Sequence, residues 1–100
     1  MDNQEMINED LCTAAQKHDI ARAKVYISMG ADVNYATFQG LTPLMFAING
    51  NDMEMIKFLL KNGADPHKEI RPFTGGCITA ITFARYIAKN DFIADFLEYY

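Results

Sequence analysis

The chain has 100 residues, half of them apolar and 22% charged, enough for one small globular domain and too few for a second. Nine basic residues against thirteen acidic ones leave a formal net charge of −4, and the basic ones are scattered, whereas a nucleic-acid surface needs clustered Lys and Arg to neutralise phosphates. No apolar run approaches the ~20 residues that cross a bilayer, so neither nucleic acid nor membrane is an expected partner.

The first five residues, Met1-Asp2-Asn3-Gln4-Glu5, are polar and acidic, the opposite of a secretory or mitochondrial presequence. A cytoplasmic chain is expected, with export by a signal-less route as the alternative. Matched thirty-three residues back from the better-punctuated unit that follows, a helix is expected from Leu11 to about Lys17, with Glu9 and Asp10 at the end where the helix dipole favours acid. A second helix is expected from Ile20 to about Met29, stopped by Gly30. The stretch Asp32–Gly40 reads as a projecting turn, for which Asn34 and Gly40 have the right chemistry. Phe38 at its tip has little core to enter, so it either anchors a partner or packs on a neighbouring turn.

The next unit is the best punctuated. Thr42 can cap a helix with its hydroxyl, and Pro43 suits the first helical position, where no N–H is needed. That helix should run to about Asn49 and break at Gly50-Asn51-Asp52. Another should span about Met53 to Asn62, with Met55, Ile56, Leu59 and Leu60 on one apolar face and Gly63 as its stop. The preceding unit is a weaker copy displaced by thirty-three residues: Leu11 matches Leu44, Ala14 matches Ala47, Asp19 matches Asp52, and Gly30-Ala31-Asp32 matches Gly63-Ala64-Asp65.

Thr42-Pro43-Leu44, Ala47, Leu59-Leu60 and Gly63-Ala64-Asp65 together resemble the ankyrin repeat, a β-turn plus two helices of about 33 residues. Met45 stands where the family has histidine. The resemblance implies an all-α solenoid of stacked helix-turn-helix units with projecting fingers, spanning residues 1–100 as one domain. Its repeats would fall at about 9–34, 35–67 and 68–100, the outer two serving as caps. It also implies a partner-binding concave face, which by position holds Ala36, Phe38, Gln39, Leu41, Met45, Asn49 and Gly50.

The second finger, His67–Cys77, is the most unusual stretch, with Ile70, Arg71 and Phe73 around Pro72 and then Gly75-Gly76. Loops on a rigid scaffold are where recognition tends to sit. A displacement of thirty-seven then pairs Thr42 with Thr79, Phe46 with Phe83, Ala47 with Ala84, Met55 with Phe92, Ile56 with Ile93 and Leu60 with Leu97. Helices follow at about Ala80–Ala88 and Asp91–Tyr99, and Thr82, Arg85 and Tyr86 join the candidate binding surface. Asp95 takes the place of Phe58 and Glu98 that of Lys61, the polar substitution expected of a terminal cap in a complete three-repeat chain.

Catalysis finds no support in these residues. His18 and His67 have no ligand partners at metal spacing, and Ser28, the one serine, has no nearby histidine. Cys12 and Cys77 lie in different repeats and should be reduced and unpaired. Gly75-Gly76 lacks the lysine and strand–loop–helix setting of a phosphate loop. Asp19, Asp32, Asp52 and Asp65 recur at the repeat spacing and are architectural. No cofactor and no metal are expected. The reading is a non-catalytic, monomeric protein-binding module, an adaptor or regulatory subunit. Its acidity suits a partner with a basic surface. The alternatives are an immunity-type inhibitor of a basic enzyme or toxin, and a self-assembly module with Tyr99 and Tyr100 at a subunit contact.

Overall fold

A computed structural model describes residues 3–100. Met1 and Asp2, the start of the polar leader, lie outside the described residues. The helices are α1 (Asn3–Gln16), α2 (Ile20–Ser28), α3 (Pro43–Asn49), α4 (Met53–Lys61), α5 (Ala80–Thr82) and α6 (Asp91–Glu98), and among the described residues there is no β-strand. The turn after α5, Phe83–Ile87, is π-helical: the Ala88 N–H donates to the Phe83 carbonyl at 2.9 Å, five residues back. The helices form successive pairs, α1 with α2, α3 with α4, and α5 with α6, and the first helices pack on one another from pair to pair.

Each second helix starts on a short polar side chain that accepts a backbone N–H three residues on: Asp19 from Arg22, Asp52 from Met55, Asn90 from Ile93. Thr42 does the same for α3, and Thr79 and Thr82 cap α5 reciprocally. Gly63, at φ +100°, ends α4 in the left-handed region that a Cβ disfavours. The core is one continuous cluster in which Ala14, Ala47 and Ala84 mark equivalent contact points of the three first helices. Small residues there let the pairs approach closely.

Three features depart from expectation. First, α1 begins at Asn3 rather than near Leu11. Its added turns reproduce a junction found further along. Asn34 donates to the Gly63 carbonyl and accepts from Asp65 N–H, at 3.0 and 2.8 Å. One step earlier in the stack, Gln4 donates to the Gly30 carbonyl and Asn8 accepts from Asp32 N–H, at 3.0 and 2.7 Å. Helical side chains thus make here the contacts that the Asn34 loop makes one step later.

Second, the displacement between the last two units changes partway. It is thirty-seven residues from Thr42 to Thr79 and thirty-eight from Asp52 to Asn90, because the π-helical turn absorbs one extra residue between Ala84 and Ala88. Ile93 therefore occupies the place of Met55, and Ala94 that of Ile56. Phe92, expected to match buried Met55, is 73% exposed. Likewise Asp95 stands for Lys57, Phe96 for Phe58 and Glu98 for Leu60.

Third, the polar outer side of the last pair includes Glu98, as expected, but is centred on Arg85. Ile48 and Leu60 are buried in the second pair, and their counterparts are Arg85 and Glu98, joined at 3.1 Å. Arg85 also reaches Asp91 and Asp95, at 3.3 and 3.1 Å. These carboxylates, Asp95 foremost, hold its guanidinium even more firmly protonated than usual.

Candidate protein-interaction surface

Two fingers project beside the first helices. In the first, Gly40 N–H donates to the Thr37 carbonyl at 2.8 Å, closing a turn with Phe38 and Gln39 at its tip. In the second, Gly75 N–H donates to the Pro72 carbonyl at 2.9 Å, with Phe73 and Thr74 at the tip. The two turns bring Phe38 and Phe73 together, ring centroids 4.5 Å apart and planes 27° from parallel, yet leave them 69% and 74% exposed. Phe73 N–H also donates to the Phe38 carbonyl at 3.4 Å. Gly40, at φ +84°, lies so close to Pro72 that a Cβ there would sit 2.6 Å from the proline ring. Phe38 thus packs on the neighbouring finger while keeping an open face.

The base of the second finger is closed by Ile70 and Ile78, whose backbones exchange two hydrogen bonds of 2.8 Å in an isolated antiparallel bridge. Ile70, expected on the binding surface, is instead core, and so is Met45 on α3. Both belong to the continuous apolar cluster of the core. Ala36 and Leu41 are half-buried against the core. Gln39, Asn49, Gly50, Arg71, Phe73 and Thr82 are exposed, and so is Tyr86. Arg85 does not join the fingers, being held by the carboxylates of α6.

Where the first helices meet the fingers, two adjoining clefts form a groove. One is lined by Gln16, Leu41, Met45, Phe46, Asn49 and Phe83. The other shares Leu41 and Phe83 and continues past Gln39, Pro72 and Ile78 to Ile87. Gln16 and Ile87 were not anticipated. Gln16 lies thirty-three residues before Asn49 and was legible by that displacement. Ile87 was hidden by the π-helical turn.

The titratable groups have structural tasks. His18, at φ 57° in the α1–α2 turn, donates through Nδ1 to the Asp52 carboxylate of the next pair, which raises its pKa. The corresponding contact at the next junction is neutral: the Asn90 side-chain amide donates to Asn51 Oδ1 at 3.1 Å. Burial, and then Glu9, push the Cys12 thiol up to about 12, leaving it un-ionised and inert at neutral pH. Cys77 is exposed in the second finger, and neither cysteine is in a disulfide. Burial, and then the Glu9 carboxylate accepting its hydroxyl at 2.9 Å, push Tyr35 up to about 12. Among the described residues no group of three His, Cys, Asp or Glu side chains is placed to hold a metal ion. Nor is any helix of the described residues long and apolar enough to cross a membrane.

Helix pairs stacked through their first helices, with turns projecting to one side, define an all-α repeat scaffold. Residues 39–69, the central pair with its flanking turns, match the family model described as Ankyrin repeat, and the fold is the ankyrin-repeat fold. Such repeats are in general non-catalytic protein–protein interaction modules. The chain is 29% identical over 66 residues to an L-asparaginase of Dirofilaria immitis, a match covering 66% of this chain and 11% of that protein. It is 36% identical over 62 residues to a 2-5A-dependent ribonuclease of Mus musculus, covering 61% of this chain and 8% of the relative. A third match, to the potassium channel AKT1 of Arabidopsis thaliana, is 34% identical over 58 residues, covering 58% of this chain and 7% of the channel. The matched stretch is thus about a tenth or less of each relative, and those names describe the whole proteins.

Proposed function

We propose that this chain is a non-enzymatic binding module, acting as a cytoplasmic monomer that holds a partner protein through its fingers and groove, as an adaptor or regulatory subunit. The observation that carries the reading is the stacked Phe38–Phe73 pair. Two large rings are held in fixed positions by the fold, yet most of their surface is left in water. Aromatic side chains held rigidly at a surface are the groups that dominate binding energy when a partner covers them. Arg71 beside them adds a donor-rich, exposed side chain.

A second reading, a stoichiometric inhibitor of a basic enzyme or toxin, draws on the outer side of the last pair. There Asp91, Asp95 and Glu98 share the single guanidinium of Arg85, an excess of negative charge that a basic surface would complement.

The test uses the intact protein as bait in an extract of the cells that make it, followed by titration of the recovered partner. Phe38→Ala, Phe73→Ala and Arg71→Ala should each weaken binding at least about tenfold without changing the melting curve, since central aromatic and arginine contacts carry ~2 kcal/mol or more. Lys57→Ala, on the exposed side of α4, should have no effect. The reading fails if only Lys57→Ala matters.

A further inference from the structure

The groove has a property the net charge of −4 does not suggest: among the described residues, no charged side chain lines either of its two clefts. Its floor is apolar, formed by Leu41, Phe46, Phe83 and Ile78, and Pro72 and Ile87 complete the half nearest the second finger. Along it lie three side-chain amides, Gln16, Asn49 and Gln39, all exposed. Ile87 is 57% exposed although it is aliphatic, and it follows from the π-helical turn, which puts three residues where α3 has Ile48 and Asn49.

Each feature selects against one kind of ligand and for another. A charged group entering an apolar floor with no counter-charge would lose its hydration without compensation. A neutral backbone would not, because each amide side chain offers both donors and an acceptor to peptide N–H and C=O groups. The groove crosses three first helices. At ~8–10 Å between packed helices it spans roughly 16–20 Å, the length of about five or six residues of extended chain at ~3.3 Å each.

We propose that the groove running from Gln16 past Asn49 to Ile87 binds an extended, uncharged peptide segment of the partner, with one bulky apolar side chain seated between Leu41, Phe83 and Ile87. This rests on the protein-binding reading above and adds the chemistry of what is bound. Affinity in such a site owes little to charge and is nearly independent of salt.

The probe is a displayed library of random peptides about twelve residues long, roughly twice what the groove holds at ~3.3 Å per extended residue. The library is panned on the intact protein, and the most enriched peptide is synthesised and titrated by calorimetry. Enriched peptides should be uncharged around a bulky apolar residue, and Kd should change less than about twofold between ~0.05 and ~0.5 M NaCl, a range over which exposed charge pairs are strongly screened. Ile87→Asp and, independently, Asn49→Glu should each raise Kd at least about tenfold, with helical content and melting unchanged. Both positions are exposed, so neither substitution should compromise folding. Charged peptides with salt-dependent Kd overturn the inference. So does a peptide weakened by Phe38→Ala but indifferent to both groove variants, and so does the absence of any enriched peptide. None of these touches the wider reading, which stands or falls on partner capture.

Discussion

The second and third helix pairs begin alike and end differently. Both open on a threonine cap, Thr42 and Thr79, and both carry a buried alanine at the same place, Ala47 and Ala84. Beyond that point the second pair keeps α-helical geometry and presents Ile48 and Leu60 to its neighbour. The third inserts a residue as a π-helical turn and presents Arg85 and Glu98 to water. The same architecture is thus read out twice, once as a unit with neighbours on both sides and once as a unit with an open side. The freedom gained on the open side takes the form of an extra residue and an ion-pair cluster.

Deletions test this difference most severely. Removing Asn49 would take the last residue of α3 and draw the Gly50–Asp52 turn back by one residue, so that α4, with its buried Met55, Ile56 and Leu59, no longer meets α3 in register. No cooperative melt is expected. Removing Tyr86 restores the spacing of the second pair, and thermal unfolding should stay cooperative, with stability within about 1 kcal/mol. A Tyr86 deletion that unfolds the protein would show that the π-helical turn is required rather than tolerated.

Core truncations come next. Leu59 and Leu97 are equivalent and both fully buried. Leu59→Ala and Leu97→Ala should each cost about 2–5 kcal/mol in urea unfolding, with Leu59 the costlier because it is enclosed on both sides. Equal values would mean that the open side gives no room to relax.

Two of the finger glycines separate backbone strain from contact. Gly40 and Gly75 both have positive φ, but only Gly40 abuts another finger. Gly40→Ala should cost roughly 1–3 kcal/mol and disturb the Phe38–Phe73 stack, visible in aromatic NMR shifts. Gly75→Ala should cost about 1 kcal/mol and leave the stack intact.

The smallest effect distinguishes the two turn-to-turn contacts. Because the folded pKa of His18 is raised above its ordinary 6.5, protonated His18 adds stability that is complete below that value and is lost as pH rises through the folded pKa. Melting temperature should therefore decline across that window, and His18→Asn should flatten the decline. Asn51→Ala, which removes the neutral contact to Asn90, should lower stability equally at all pH values.

Much of this organisation was legible in the chain. Thr42, Pro43, Asp52 and Gly63 act locally, within a turn of their own position, so they mark helix ends whatever the tertiary context. What escaped depended on distance or on a single residue. Polar Gln4 and Asn8 carry no helical periodicity, and their task appears only when the Gly30–Asp32 loop lies against them. One inserted residue between Ala84 and Ala88 changes no composition, yet it moves Phe92 outward and Ile93 inward. Ile70 and Met45 read as surface by position, because neighbours far along the chain decide their burial. For the groove, Gln39 and Asn49 were read on the binding face and Gln16 was recoverable from the thirty-three-residue displacement, whereas Ile87 was not.

The two fingers are fastened by a ring stack, a backbone hydrogen bond and the close approach of Gly40 to Pro72. They should therefore behave in solution as one plate rather than two independent arms. An encounter then finds its contact points already assembled, so little chain disorder has to be removed as the complex forms. Loosening the plate, as Gly40→Ala would, should slow productive docking even if every touching side chain is left unchanged.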